Sequence, residues 1–311
     1  PIRGGTTGFA GGNGTQYDPY LIETAEQLNN VRCYLGETNR YTYFKLIAPI
    51  SLSAYPNWEP IGNEDNPFYG GFYSDSNCQI TDLTINRPDE SYVGLFGYCG
   101  DAEFTNVTIE GANVTGGPKT GILAGAMGHK ITEVTGMYFY GKIDRCSSTG
   151  SVRSSTQLFT GCVGGLVGEV ITTTDIINSN STASVTGTDY VGGVVGYVAV
   201  EDSRKVLSCY SAGSVTGRYY VGGVAGHVEE GTVEHCYATG SVTGDSRVGG
   251  VVGYVNKNGE VRTCAATNSS VSGTDDVGGV AGTVEEGTVE HCYATCSVTG
   301  SGYVGGVVGY A

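Results

Sequence analysis

The sequence predicts an all-β chain, a parallel β-helix or solenoid with an N-terminal cap that contains one short α-helix. Three observations predict it. The string VGG begins at Val163, Val191, Val221, Val248, Val277 and Val304, at intervals of 28, 30, 27, 29 and 27 residues. A fixed period in that range signals stacked repeats, because one unit cannot bury its apolar face alone. All eight prolines fall at or before Pro118, leaving a proline-free remainder suited to strands whose every N–H enters a ladder. The apolar runs are short, β-branched and punctuated by glycine, which reads as strand and turn rather than helix.

In chain order, residues 1–79 form a cap and lead-in segment. Thr24-Ala25-Glu26-Gln27 has capping-box spacing, and Leu28, Val31 and Leu35 fall on one helical face over 24–35. That helix and the stretch Trp58-Glu59-Pro60-Ile61-Gly62 are expected over the first coil. Residues 80–311 make about eight coils of 27–30 residues, each holding about three strands. The expected right-handed sense is the one parallel crossovers favour.

One inward column is expected to read Ile80, Phe104, Ile143, Ile176, Val206, Val233, Val261 and Val289. A second reads Leu83, Val107, Cys146, Ser179, Cys209, Cys236, Cys264 and Cys292, and a third Ile85, Ile109, Ser148, Ser181, Ser211, Ala238, Ala266 and Ala294. Val152, Val185, Val215, Val242, Val271 and Val298 complete the set. Residues 128–142 interrupt the period and are expected as a projecting loop. The last VGGVVGY string runs to Ala311, so the stack is expected either to continue or to meet a partner at its C-terminal end.

At these residues the chain resembles the GLUG-motif proteins, bacterial surface and secreted proteins named for a repeat related to Val163-Gly164-Gly165-Leu166-Val167-Gly168. Its string His235-Cys236-Tyr237-Ala238-Thr239-Gly240-Ser241-Val242 is similar to that family's companion segment. Gly14-Thr15-Gln16-Tyr17-Asp18-Pro19-Tyr20-Leu21-Ile22 and the Trp58 stretch resemble the segment leading into such repeats. The likeness covers residues 14 to 310 and departs at Tyr73-Ser74-Asp75-Ser76-Asn77 and in the insertion. It implies adhesin-like or stalk roles, sometimes beside immunoglobulin A peptidases, and supplies no catalytic motif.

Sixteen basic residues against thirty-one acidic ones give a net charge of −15. That balance repels phosphate backbones and anionic lipid, so nucleic acid is not an expected partner. No apolar stretch approaches the roughly 18 residues of a membrane helix. The chain is expected outside the cell or on its surface, with any export signal preceding this numbering.

The ten cysteines contain no C-x-x-C pair. Six positions sharing one column, with Ser179 among them, read as buried reduced thiols rather than metal ligands or disulfides. Glu234-His235 and Glu290-His291, as strand neighbours, are expected on opposite faces and do not match H-E-x-x-H. Asp189, Asp245, Asp275 and Asp276 sit in turns where calcium is a secondary reading, although the calcium-binding nonapeptide repeat is missing. The VGG segments lack the Lys-Ser/Thr ending of a phosphate loop.

Tyrosine supplies the candidate site. Tyr210, Tyr237 and Tyr293 follow the cysteines by one position, interrupted at Ala265, and alternation turns them outward. An exposed tyrosine row can stack on sugars or anchor a protein, and can equally do no more than shield strands. The leading functional reading is a non-catalytic extracellular or cell-surface module, structural or adhesive, binding a host or matrix glycan or protein. No cofactor is expected. The alternatives are a polysaccharide-degrading β-helix enzyme, either lyase or glycoside hydrolase, and a stalk segment of a larger secreted peptidase. The enzyme reading calls for charged residues clustered on adjacent coils, whereas Arg204-Lys205 and Arg247 are scattered.

Overall fold

A computed structural model describes residues 8–128, 140–156, 161–172, 174–200, 205–267 and 269–311. The heart of the expected insertion, residues 129–139, and Arg204 lie outside the described residues.

The chain winds as a parallel β-solenoid of about eight turns whose strands stack into four sheets. One coil shows the plan. Thr232–Glu234 lies in the first sheet, Tyr237–Ala238 and Val242–Thr243 in the second, Ser246–Gly249 in the third, and Val252–Asn256 in the fourth. A coil therefore holds five short strands, not three. The reason is that VGGVVGY bends at its paired glycines, so what reads as one apolar run is two strands belonging to different sheets.

Side chains of one column meet directly because register is kept from coil to coil. In the first sheet Phe104 pairs with Ile143, then Ile176, Val206, Val233, Val261 and Val289 follow in turn. The residue preceding Phe104 in this column is Phe72, with Phe44 before it. Ile80 instead pairs with Ile109, and Ile85 with Val114, both in the second sheet. The expected alignment fails here because a turn at residues 75–78, closed by Cys78 N–H donating to the Asp75 carbonyl, lengthens this corner. Parallel pairing also continues back through the lead-in segment, where Tyr20–Ile22 pairs with Tyr43–Leu46. The outer edge of Tyr20–Ile22 is occupied by an antiparallel bridge between Gly11 and Leu21, which removes an open ladder edge.

The helix forms over Ala25–Asn29, with the Thr24 side chain accepting from Gln27 N–H, and continues as a 3-10 turn at Asn30–Cys33. Leu28 and Val31 are fully buried, and Leu35 packs against the same core. Trp58 is buried and donates from Nε1 to the Leu95 carbonyl at 3.0 Å. Ile61 bridges Phe96, so this stretch underlies the first strand of the fourth sheet.

The cysteine column marks the corner between the first and second sheets. Each corner residue follows one held at positive φ: Asn77, Asn106, Arg145, Asn178, Ser208, His235, Thr263 and His291. Because Gln79 pairs with Thr108 while Thr84 pairs with Asn113, Cys78, not Leu83, precedes Val107 in the column. The thiols also do more than fill volume. Cys236 Sγ accepts from Cys209 N–H at 3.3 Å and lies 3.2 Å from the Glu234 carbonyl. Cys264 and Cys292 repeat the arrangement, and the Ser179 hydroxyl does the same work for Cys146 N–H at 3.0 Å. None of the ten cysteines forms a disulfide, and burial pushes the Cys146 thiol up to about 12. Cys236→Ser should therefore change local stability by less than about 1 kcal/mol, whereas Cys236→Ala should cost about 1–3 kcal/mol by stranding the Cys209 N–H. Hydrogen exchange at the Cys209 amide measures the difference; equal protection in both variants would refute the corner bond.

Candidate functional site

Tyr210, Tyr237, Ala265 and Tyr293 occupy successive rungs of the second sheet in strict register. The ladder brings all three sequence-predicted tyrosines onto one outward column. The Tyr210 and Tyr237 rings lie 4.4 Å apart at 30°, so they pile along the ladder axis, and Tyr210 Oη pairs with Thr239 Oγ1 at 3.1 Å. Tyr237 and Tyr293 are 45% and 56% exposed. Between them the missing side chain at Ala265 opens a cleft of about 270 Å³, lined by His235, Tyr237, Thr263, Ala265, Thr267 and Tyr293, with Cys236 beneath.

Glu234 and His235 do not take opposite faces. His235 has φ 53 at the corner, which breaks strand alternation, and its Nε2 comes to 3.8 Å from Glu234 Oε1. Lys205 bonds the same carboxylate and holds it below the usual range. The acidic turns take separate partners: Asp245 meets Arg218 at 3.3 Å, Asp276 accepts from Thr283 at 3.1 Å, and Asp275 accepts from Tyr303 N–H at 3.3 Å. Asp189 is buried, 1% exposed. Among the described residues no three His, Cys, Asp or Glu side chains gather as a metal-ligand group, and no helix is long and apolar enough to cross a membrane.

A second aromatic array escaped the sequence reading. In the fourth sheet Tyr197, His227 and Tyr254 share an outward column. Tyr190, Tyr220 and Arg247, each at positive φ just before a VGG string, lie against it. Tyr190 stacks on Tyr220 at 4.9 Å and on His227 at 5.4 Å, and Arg247 sits 5.1 Å over Tyr220 and 5.5 Å over Tyr254. His227, 6% exposed, bonds Asn256 Oδ1 through Nε2 at 2.9 Å, and burial lowers its pKa. Tyr197 and Lys257 both bond Glu229 and together, against the effect of burial, hold its carboxyl below the usual range. The signal was present in the spacing. Tyr190 and Tyr197, Tyr220 and His227, Arg247 and Tyr254 each bracket the motif seven residues apart, and the bend at the paired glycines folds the two ends together.

The GLUG motif profile matches residues 159–186 and 217–243. Two stretches of the chain carry the GLUG motif. The resemblance seen at Val163–Gly168 and in the His235 string is thereby borne out. The chain is 41% identical over 139 residues to a protein provisionally named as a Gly-rich membrane protein of Evansella cellulosilytica, a match covering 40% of the chain and 16% of that relative. It is 33% identical over 196 residues to halomucin of Haloquadratum walsbyi, covering 60% of the chain and 2% of halomucin. Only a small part of either relative's length is thus represented. A Bacteroides ovatus structure provisionally described as an immunoglobulin A1 protease superposes with a TM-score of 0.63 at 25% identity, over 94% of this chain and 80% of that one.

Proposed function

We propose that the chain is a non-catalytic repeat module of a secreted or cell-surface protein, and that its tyrosine column engages an extracellular glycan or protein. The observation that carries the reading is the exposure of Tyr237 and Tyr293 on a ladder whose corners are fixed by backbone and thiol hydrogen bonds. A rigid support orders these rings before any ligand arrives, which lowers the entropy lost on binding. The names of the membrane-protein and halomucin relatives support a surface or secreted setting. The likeness to the Bacteroides ovatus structure favours a second reading, a stalk segment within a larger secreted peptidase.

Replacing Tyr210, Tyr237 and Tyr293 together by serine is expected to weaken glycan or protein capture at least tenfold while leaving the β-sheet circular dichroism unchanged. Binding equal to that of the parent chain would defeat the proposal. Release of reducing ends or unsaturated sugars from acidic polysaccharides would defeat its non-catalytic half.

A further inference from the structure

We infer that the gap at Ala265 is a slot for one pyranose ring of a neutral glycan, gripped between Tyr237 and Tyr293. This inference rests on the tyrosine column being a binding surface, and it adds which part of the column binds and what it takes.

The height of the slot comes from the ladder. Tyr237 and Tyr293 stand two rungs apart with Ala265 between, a separation of about 9.6 Å at a rung spacing of about 4.8 Å. The Tyr210 and Tyr237 ring centroids, 4.4 Å apart, nearly match that spacing. One face of Tyr237 is therefore covered by Tyr210, and the other looks along the axis over Ala265. Carbon–carbon contacts of about 3.5–4.0 Å on both sides of a guest leave about 2 Å for the guest itself. A flat aromatic ring is too thin to touch both tyrosines at once, whereas a chair pyranose bearing one axial oxygen spans about 2 Å from that oxygen to the carbons of its opposite face and fills the space.

The rim supplies the matching polarity. His235, Thr263 and Thr267 line the same cleft, offering an imidazole and two hydroxyls to the equatorial sugar hydroxyls while the C–H face opposite the axial oxygen meets one tyrosine ring. No lysine or arginine is among the lining residues, and the chain carries a net charge of −15, so a neutral sugar fits better than a uronic acid.

The test separates a slot from a flat platform. Neutral glucan, mannan and galactan hexasaccharides, with a galacturonate hexasaccharide and p-cresol as comparators, are titrated against the 311-residue chain by NMR and calorimetry. Ala265→Tyr completes the tyrosine row. It is expected to leave the fold intact and to weaken neutral hexasaccharide binding tenfold or more, and Ala265→Leu, an aliphatic plug, is expected to do the same. Equal or tighter binding by both plugged variants overturns the slot while leaving a continuous tyrosine platform standing. Failure of every neutral hexasaccharide to bind the parent chain overturns it too, as does a preference for p-cresol or galacturonate. Unchanged hexasaccharide binding in the triple serine variant would instead remove the column reading on which the slot depends.

Discussion

Replacing Gly226 by alanine is expected to break the ladder in its middle, and replacing Gly306 by alanine to change little. A Cβ at Gly226 would lie 2.5 Å from Tyr190 C and Val191 N and 2.6 Å from the Gly196 carbonyl oxygen. All three obstructing atoms belong to backbone, so no rotamer change relieves the contact and the rungs must separate. The same crowding recurs at Gly196, Gly253 and Gly282, which explains why the last glycine of each VGGVVG-type string is needed: it lets the preceding coil's positive-φ corner approach the fourth sheet. At Gly306 nothing among the described residues lies within 4 Å of an added Cβ.

The expected loss at Gly226 is about 3 kcal/mol or more, at the upper end of overpacking effects. A stacked array need not unfold in one step, so a single melting temperature is a poor readout. Hydrogen exchange resolves the rungs: amides of Asp189–Gly192 and Ala225–Glu229 should lose protection in Gly226→Ala and keep it in Gly306→Ala. Matching protection in the two variants would remove the packing explanation of the motif.

These contacts also show what was legible in the sequence. The VGG period announced the rungs, and register followed from it wherever two coils have corners of equal length, as in the columns from Phe104 to Val289 and from Val152 to Val298. Legibility ended where a corner changes length. The extra residues at 75–78 moved Ile80 from the first sheet to the second, and Phe44 and Phe72, which continue the Phe104 column, carry no VGG string to announce them. Alternation likewise misplaced His235, because a left-handed corner residue belongs to no strand face. The tyrosine column was found because its members sit at one repeat position. The Tyr190–His227–Tyr254 array was missed because its partners come from both ends of the motif and meet only after the chain bends.

Asp189→Asn is expected to raise local stability at pH 8, to keep about half of that advantage at pH 5 and to lose it near pH 4. Asp189 is 1% exposed, and neither carboxylate oxygen has a hydrogen-bond partner among the described residues. Burial pushes its carboxyl up from 3.8 to about 6, with Arg218 pulling weakly the other way. Above pH 6 the folded ladder therefore carries an unpaired buried carboxylate, which the unfolded chain hydrates freely. As pH falls from 6 towards 4 the folded state binds a proton that the unfolded state does not, so this group's penalty disappears on acidification. The full shift corresponds to at most about 3 kcal/mol, and an effect of about 1–3 kcal/mol is expected. His227 acts in the opposite sense: burial lowers its pKa from 6.5, so the unfolded state takes the proton first and stability falls as pH drops below about 6.5. The two slopes overlap, and His227→Gln provides the background in which Asp189 is read alone. Asparagine keeps the size of the side chain and any cost of an unmet polar group at every pH, so the pH-dependent difference isolates the charge. Protection of the amides at residues 189–192, compared from pH 5 to pH 8 between the His227→Gln chain and the same chain carrying Asp189→Asn as well, should show that difference growing with pH; a constant offset would mean the carboxyl is hydrated or paired in the folded chain.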